Sequence, residues 1–222
     1  MIGFRRFSYV ACLVLLTASV ASAQGRPAVT PLDHGFMIGS AGASFADTRS
    51  ATFGIEIAER LNSRTQAYVG FTYFDNLLSD RAADDLAQLS DALTSLNGEP
   101  WAFSGRDRGL AFSGGARYLL SRGPNVRPYV GGGAGVLNVK RTILEQDLGD
   151  VSDPFFNVFG APDGFIDADR QSTFKPLGEF IAGVGIGAGR AYVDVGYRFR
   201  KVFGTTEPFT FSQFTVGVGM RF

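Results

Sequence analysis

The last ten residues, "QFTVGVGMRF" (Gln213–Phe222), alternate strictly between two kinds of side chain. One parity is apolar and consists of Phe214, Val216, Val218, Met220 and Phe222. The other parity is small or polar. Because successive side chains of a β-strand point to opposite faces, the stretch predicts a strand with one apolar face and one face of small or polar residues. The rest of the chain decides what each face contacts.

The beginning of the chain has the layout of a secretory signal peptide. Arg5 and Arg6 precede an apolar run, and Ala21–Ala23 forms an A-x-A site, so we expect cleavage before Gln24. The apolar run is too short to span a bilayer. The single cysteine, Cys12, lies inside this segment, so the exported chain would contain no disulfide. We therefore expect a signal peptide at 1–23, a lead-in at 24–34 and one barrel domain at 35–222.

The composition of the full chain favours strands. Glycine and phenylalanine are frequent, with 29 and 21 residues, and apolar residues recur at period two. Basic and acidic residues balance at 21 each, which gives no indication of nucleic-acid binding. No later segment is apolar over the roughly 18 residues that a membrane helix needs, so any insertion would use strands. The pattern predicts eight strands at 35–44, 52–61, 65–74, 109–120, 127–140, 177–188, 191–202 and 213–222.

The connections between these strands are of two kinds. Tight turns are predicted at 62–64, 121–126 and 189–190, where Asn, Ser, Gly and Pro supply turn residues. The alternate connections, at 45–51, 75–108, 141–176 and 203–210, are mostly longer. Short turns at one end and longer loops at the other are typical of an outer-membrane barrel. We predict an all-β, eight-stranded, antiparallel, up-and-down transmembrane barrel with long extracellular loops, and exclude a parallel α/β fold.

One loop contains a helical pattern, "LLSDRAADDLAQLSDALTSLNG" (residues 77–98). Its apolar residues repeat at spacings of four and three and comprise Leu78, Ala82, Leu86, Leu89, Leu93 and Leu96. Gly98 and Pro100 are expected to end the helix. We predict that it folds onto the barrel mouth; binding of a partner is the alternative.

The residue composition of the second strand face distinguishes a soluble barrel from a membrane barrel. A soluble barrel of lipocalin type would carry many Lys, Glu, Thr and Ser residues there, whereas this face is mainly Gly, Ala and Ser with scattered charges. Such a face suits the narrow interior of an eight-stranded barrel. Buried charges must be paired, so we predict a network in a plugged lumen. Its candidate members are Glu56, Arg117, Glu179, Asp194 and Arg198, with Arg60, Arg200 and Arg221 as further candidates.

Aromatic residues gather near the predicted strand ends and suggest the girdles found at the headgroup level of membrane barrels. They are Tyr73, Phe74, Tyr118, Tyr129, Phe199, Phe203, Phe209, Phe211 and Phe222.

With its signal peptide, strand plan and terminal "VGVGMRF", the chain resembles the OmpA/OmpX-like family of small, porin-like outer-membrane β-barrels. The resemblance implies a protein of the cell envelope, and it implies that the terminal residues are recognised by the barrel-assembly machinery. This assembly signal would comprise Val216, Val218, Met220 and Phe222. The longer members carry a periplasmic peptidoglycan-binding domain, which is not expected here.

Four other features are expected to have no catalytic or cofactor role. "GVGIGA" (183–188) fits a dinucleotide pattern, but its glycines continue a strand rather than open a helix; "GGGAG" (131–135) is similar, with a bend or bulge as an option. His34 is the only histidine, and its neighbour Asp33 would point away from it. Acidic residues in the loop 141–176 could hold Ca²⁺, although their spacing does not match an EF-hand. They are Asp147, Asp150, Asp153, Asp163, Asp167 and Asp169, among Phe155, Phe156, Phe159 and Phe165.

The sequence predicts location and architecture more directly than activity, because this fold hosts unrelated functions. We expect a monomer without cofactor or metal that contacts outer-membrane lipid and lipopolysaccharide. The leading hypothesis is a non-enzymatic structural or surface-interaction role, with an extracellular partner bound through residues 75–108 and 141–176. The alternatives are a small passive channel, a lipid-directed barrel enzyme and a soluble lipocalin-like binder.

Overall fold

In a computed structural model of the chain, the described residues are 34–46, 49–121, 125–152, 173–204 and 209–222. The expected signal peptide and the lead-in up to residue 33 lie outside them. The described part contains one helix, α1 (Asp80–Asn97), and nine strands. The strands are β1 (Gly35–Phe45), β2 (Arg49–Arg60), β3 (Thr65–Phe74), β4 (Phe103–Leu119), β5 (Val126–Glu145), β6 (Gly149–Asp150), β7 (Thr173–Ala188), β8 (Ala191–Val202) and β9 (Phe209–Arg221).

Eight of these strands close into a barrel. Each long strand pairs antiparallel with its neighbours along the chain, and β9 pairs back with β1 from Phe36–Arg221 to Phe45–Ser212. β6 has two residues and pairs only with the end of β5. The predicted eight-stranded up-and-down barrel is therefore confirmed, and the predicted bounds of β3 and β8 are those observed.

The largest difference from the predicted bounds is in β4 and β5. Their pairing continues past the rim of the barrel to Phe103–Glu145, so the two strands form a projecting hairpin. Arg106, Asp107 and Arg108 interrupt the apolar alternation at this point, which is why the sequence pattern stopped at residue 109. The inner face of the projection is buried by other parts of the protein, so it does not require lipid to cover it.

The helix α1 covers that inner face. The Oγ of Ser79 accepts a hydrogen bond from the amide of Ala82 at 3.3 Å, and Gly98 ends the helix with a φ of 73°. Of the predicted apolar face, Leu78, Ala82 and Leu86 are buried in a cluster with Ile143 of β5 and against Gly105 of β4. Leu96 is 79% exposed, because the apolar cluster that covers this face ends at Leu89; the prediction is wrong for the last turn. No helix of the described residues is both long and apolar enough to cross a membrane.

The two faces of the barrel strands have the predicted orientation. Apolar side chains point outward, so that Ile55, Val195 and Val218 are 58%, 48% and 65% exposed. Small and polar side chains point into the lumen. The outward face is apolar across both the first and the last strands of the chain, which confirms the assignment made from the terminal stretch.

The aromatic prediction is partly wrong. Tyr118, Phe199, Phe203 and Phe222 face outward, but three predicted girdle residues are buried inside the barrel. These three are Phe74, Tyr129 and Phe211. They lie near strand ends as expected, but they occupy the inward parity, and parity decides the face.

Candidate functional site

The centre of the lumen is occupied by charged side chains from four strands. Glu56 of β2 accepts hydrogen bonds from Arg117 of β4 through one carboxylate oxygen and from Arg198 of β8 through the other. Arg198 also lies 3.6 Å from Glu179 of β7. We call the set formed by Glu56, Glu179, Asp194, Arg117, Arg198 and Arg200 the lumen network. Its three carboxylates and three guanidinium groups balance in charge.

Glu179 and Arg200 form the part of the lumen network nearer the long loops. The Nε of Arg200 donates to Glu179 at 3.0 Å, and the hydroxyl of Tyr68 donates to the other carboxylate oxygen at 2.8 Å. The remaining nitrogens of Arg200 donate to Gln213 at 2.6 Å and to Thr72 at 3.3 Å. Arg200 is fully buried and is satisfied by side chains from three other strands.

Arg117 and Asp194 form the part nearer the short turns. The hydroxyl of Tyr129 donates to Asp194 at 2.9 Å, and Nη1 of Arg117 lies 4.0 Å from the other oxygen of Asp194. The Arg117 guanidinium also lies 4.4 Å from the centre of the Tyr129 ring and 5.0 Å from that of Phe36. Aromatic faces attract a cation in this geometry, so the fully buried Arg117 is held by rings as well as by carboxylates.

Two of the eight candidate lumen residues lie apart from this network. Arg60 donates to the backbone carbonyls of Asn62 and Ser63, at 3.2 Å each, in the turn after β2. Arg221 lies at the short-turn end, with its guanidinium 5.3 Å from the Tyr192 ring. Sequence reasoning missed the polar partners Tyr68 and Tyr129, although their inward parity was a usable signal.

Buried apolar side chains close the lumen on both sides of the network. The floor cluster, towards the short turns, comprises Phe36, Ile38, Ala58, Tyr68, Leu119, Tyr129, Ile181 and Tyr192. The mouth cluster, towards the long loops, comprises Phe74, Leu77, Ala111, Leu137, Leu177, Val202 and Phe211. Within the mouth cluster the rings of Phe74 and Phe211 meet edge to face at 5.2 Å. The described part of the lumen is therefore filled along its length.

The glycine motif at 183–188 lies wholly inside β7, as predicted, and contributes to this filling. A Cβ on Gly185 would overlap the Tyr192 side chain, and one on Gly187 would overlap the Arg221 guanidinium. These glycines make room for large lumen side chains from other strands. The motif at 131–135 pairs with β4 and β7 in continuous register, without a bulge.

A second polar assembly lies at the loop end, where α1 packs on the projecting part of β4 and β5. We call α1, residues 103–108, residues 140–145 and β6 together the platform. Arg141 donates to both oxygens of Asp107 at 2.8 and 2.7 Å, and both side chains are buried. At the rim, Arg106 donates to the carboxylate of Asp75. The hydrogen bond from Arg106 is the main reason why the pKa of Asp75 lies below its ordinary value.

The single tryptophan lies on the platform. Its backbone amide donates to Oγ1 of Thr94 in α1 at 2.9 Å, and its ring stacks on Phe103 with 5.8 Å between centroids. Trp101 therefore reports on how α1 sits against β4.

The terminal strand closes the barrel seam. The amide of Phe222 donates to Gly35 at 3.1 Å, and the Phe222 carbonyl accepts from His34 at 2.9 Å. The side chains expected to form the assembly signal all point outward, at 56%, 65%, 60% and 51% exposure for Val216, Val218, Met220 and Phe222.

The remaining motifs lie partly outside the described residues. Asp33, the neighbour of His34, is not among them, and neither are Asp153, Asp163, Asp167 and Asp169 of the acidic loop. Of that loop, Asp150 accepts hydrogen bonds from Ser152, while the backbone amide of Asp147 donates to Glu145. Within the described ranges, no group of three or more His, Cys, Asp or Glu residues is arranged to hold a metal ion.

Comparison with known proteins finds the fold but no close relative. No protein-family model matches the chain, and no curated protein matches it. Among solved structures, Neisserial surface protein A superposes with a TM-score of 0.51 at 12% identity, covering 85% of this chain and 96% of that one. Ail of Yersinia pestis gives 0.48 at 12%, with 85% and 97% covered. The N-terminal barrel domain of Pseudomonas aeruginosa OprF gives 0.48 at 14%, with 86% and 98% covered. The resemblance to small outer-membrane barrels is confirmed at the level of fold.

Proposed function

We propose that this chain is a non-enzymatic outer-membrane barrel that acts through its loop-end surface rather than through its lumen. The observation that carries the proposal is the filled lumen, in which the charged network lies between the floor and mouth clusters. An aqueous path would require these buried side chains to leave their partners. The platform, by contrast, presents a helix and a projecting hairpin beyond the barrel.

The outward face of the barrel supports a membrane location. Large apolar side chains are exposed on every barrel strand, for example Phe53 at 57% and Phe112 at 55%. Large exposed apolar patches mark interaction surfaces, and a belt that covers every barrel strand suits contact with lipid. Closure of the barrel pairs every strand edge, as hydrocarbon requires. These features, with the expected signal peptide, support the outer membrane over a soluble lipocalin-like barrel.

The membrane location is tested by refolding the chain from residue 24 onward. We expect a detergent-dependent barrel that resists SDS at room temperature and changes its gel mobility on boiling. A chain that stays soluble without detergent and shows no heat-modifiable mobility would establish the soluble alternative.

The passive channel is tested by single-channel recording in planar bilayers. We expect no steady conductance, because Arg117 and Arg200 are fully buried among partners that fill the lumen. Steady ion flux that disappears when Arg117 or Glu179 is neutralised would contradict the sealed lumen. The lipid-directed enzyme is tested by overexpression, where unaltered lipid A and phospholipid profiles are expected.

The terminal residues are proposed as the assembly signal, and a substitution separates this role from packing. Phe222→Ala keeps the backbone hydrogen bonds of the seam and removes only an outward ring. We expect normal refolding in detergent but reduced insertion into the outer membrane of cells. Phe203→Ala, which removes another outward ring at the opposite end, is the matched control. Normal insertion of the Phe222 variant would count against the signal.

A further inference from the structure

On the described strands the outward-facing charges differ in sign between the two ends, with the acidic Glu59 at the short-turn end. Arg108 and Lys140 lie at the base of the platform, where β4 and β5 leave the barrel wall. Towards the long loops, the outward-facing charges on the described barrel strands are all basic. They are Arg49, Arg106, Arg108, Lys140 and Lys201. Arg106 is bonded to Asp75, and Lys201 lies 5.6 Å from the centre of the Phe203 ring. We call Arg49, Arg108, Lys140 and Lys201 the rim cations.

Two of the rim cations stand directly opposite each other. Arg108 of β4 pairs in register with Lys140 of β5, and both side chains are exposed. Cβ atoms of such cross-strand pairs lie about 4.5–5.5 Å apart, and like charges at that separation destabilise a sheet. Within the described residues neither side chain forms an ion pair. The loop carboxylate of Asp75 is hydrogen-bonded to Arg106, and that of Asp150 is hydrogen-bonded to Ser152.

Below this pair the outward wall is apolar except for Asn138 of β5. Leu110 and Phe112 follow Arg108 on the outward face of β4, at 41% and 55% exposure. Phe174 of β7, at 60% exposure, stands opposite Asn138, the residue that precedes Lys140 on the same face of β5. A cationic pair therefore lies directly above a surface that suits acyl chains. That order of charge and apolar surface matches an anionic lipid seen from headgroup to tail.

We infer that Arg108 and Lys140 bind the phosphate headgroup of an anionic lipid in the leaflet on the loop side, with its acyl chains against Leu110 and Phe112. A phosphate between the two side chains offsets their mutual repulsion, because both cations donate charge-assisted hydrogen bonds to it. Lys201 and Arg49 extend the same attraction around the rim. The inference rests on the proposed membrane location and adds a ligand class to it.

The test uses the full barrel reconstituted in phosphatidylcholine vesicles with a trace of spin-labelled lipid. Electron paramagnetic resonance gives the association of spin-labelled phosphatidylglycerol relative to spin-labelled phosphatidylcholine. We expect the native barrel to favour phosphatidylglycerol. Because a basic residue near a membrane surface contributes about 1 kcal/mol, Lys140→Gln should lower the ratio about fivefold. Arg108→Gln combined with Lys140→Gln should remove most of the preference.

The control is Arg81→Gln, which removes one positive charge from α1 at the same end of the molecule but off the barrel wall. It should leave the ratio unchanged. A native preference that survives the double substitution, or that Arg81→Gln lowers equally, would overturn the inference. Heat-modifiable mobility is measured on every variant. A native chain that fails to insert contradicts the proposed membrane location, whereas an inserted chain without lipid preference contradicts only this inference.

Discussion

The described part of the chain contains two buried ion-pair systems, and they join very different parts of the sequence. In the lumen network, Glu56 reaches Arg117 and Arg198, which are 61 and 142 residues away in sequence. In the platform, Asp107 reaches Arg141 on the neighbouring strand. The first system connects strands across the closed barrel, and the second holds only a projecting hairpin. Breaking the first should therefore be felt globally and breaking the second locally.

The two ion-pair systems also differ in the number of partners that compensate their buried charges. Each guanidinium of the lumen network faces at least one carboxylate, and the network carries hydroxyl and amide partners such as Tyr68 and Gln213. Removing one member of a buried pair leaves an uncompensated charge, which is more damaging than the absence of the whole pair. The effect should be largest for Glu56, because two guanidinium groups share its carboxylate.

The largest expected effect is that of Glu56→Gln, which keeps the shape of the side chain and removes its charge. We expect the free energy of unfolding to fall by about 3–5 kcal/mol, because Arg117 and Arg198 lose their shared carboxylate. The measurement is denaturant unfolding of the refolded barrel in detergent.

Glu59→Gln on the same strand is the control for Glu56→Gln. Glu59 faces outward near the short turns, and its substitution should change stability by no more than about 0.5 kcal/mol. Equal losses for the two variants would mean that the lumen network does not stabilise the closed barrel.

The second prediction concerns the docking of α1 on the projecting hairpin and compares two leucines of this helix. Leu86 is 1% exposed and Leu96 is 79% exposed. Leu86→Ala should weaken the docking of α1 by about 2–4 kcal/mol, because it leaves a cavity against Leu78 and Ile143. Leu96→Ala should have almost no effect.

Amide hydrogen exchange in α1 and the fluorescence of Trp101, which is bonded to Thr94, measure the docking of the helix. The barrel itself should unfold at its native denaturant concentration in both variants. A matching loss of protection in α1 for Leu96→Ala would contradict the packing described here.

The same contrast explains what the sequence could predict. The period-two alternation gave eight strands, their faces and the inward charges, because alternation reports directly on which side of a strand each residue lies. The girdle prediction was wrong for Phe74, Tyr129 and Phe211, because it rested on nearness to a strand end, whereas the alternation itself assigns these residues to the lumen.

Partner choice within the lumen was also beyond the sequence. Arg60, Arg200 and Arg221 share the inward parity, yet only Arg200 joins the lumen network, because the depth of a residue along the barrel depends on the stagger of strands. The platform was missed for a related reason. Its strands carry charges on both faces, and the pairing of Asp107 with Arg141 appears only when β4 and β5 are set in register.

The third prediction breaks the platform pair with Asp107→Asn. Arg141 would lose a bidentate carboxylate, and the cost should be about 1–3 kcal/mol, confined to the projection. Hydrogen exchange should increase in residues 103–108 and 140–145 and remain native in β1, β8 and β9. A fall in barrel stability as large as that of Glu56→Gln would erase the distinction between the two ion-pair systems.

The smallest expected effect is the acid response of the rim contact between Asp75 and Arg106. The pKa of Asp75 is lowered from 3.8, chiefly by the hydrogen bond from Arg106, so the folded state favours the carboxylate. A lowered folded pKa means that the contact stabilises the rim above the ordinary pKa and is lost as the pH falls through the folded value. The side chains are 38% and 37% exposed, so solvent screens the pair and the effect should be slight.

In a titration of Trp101 fluorescence from pH 6 downward, the native barrel should show a small transition below about pH 4 that Asp75→Asn lacks. Asp150→Asn, which removes a loop carboxylate bonded to Ser152 instead, should keep that transition, and its loss there would assign the acid response to the hairpin tip rather than to the rim.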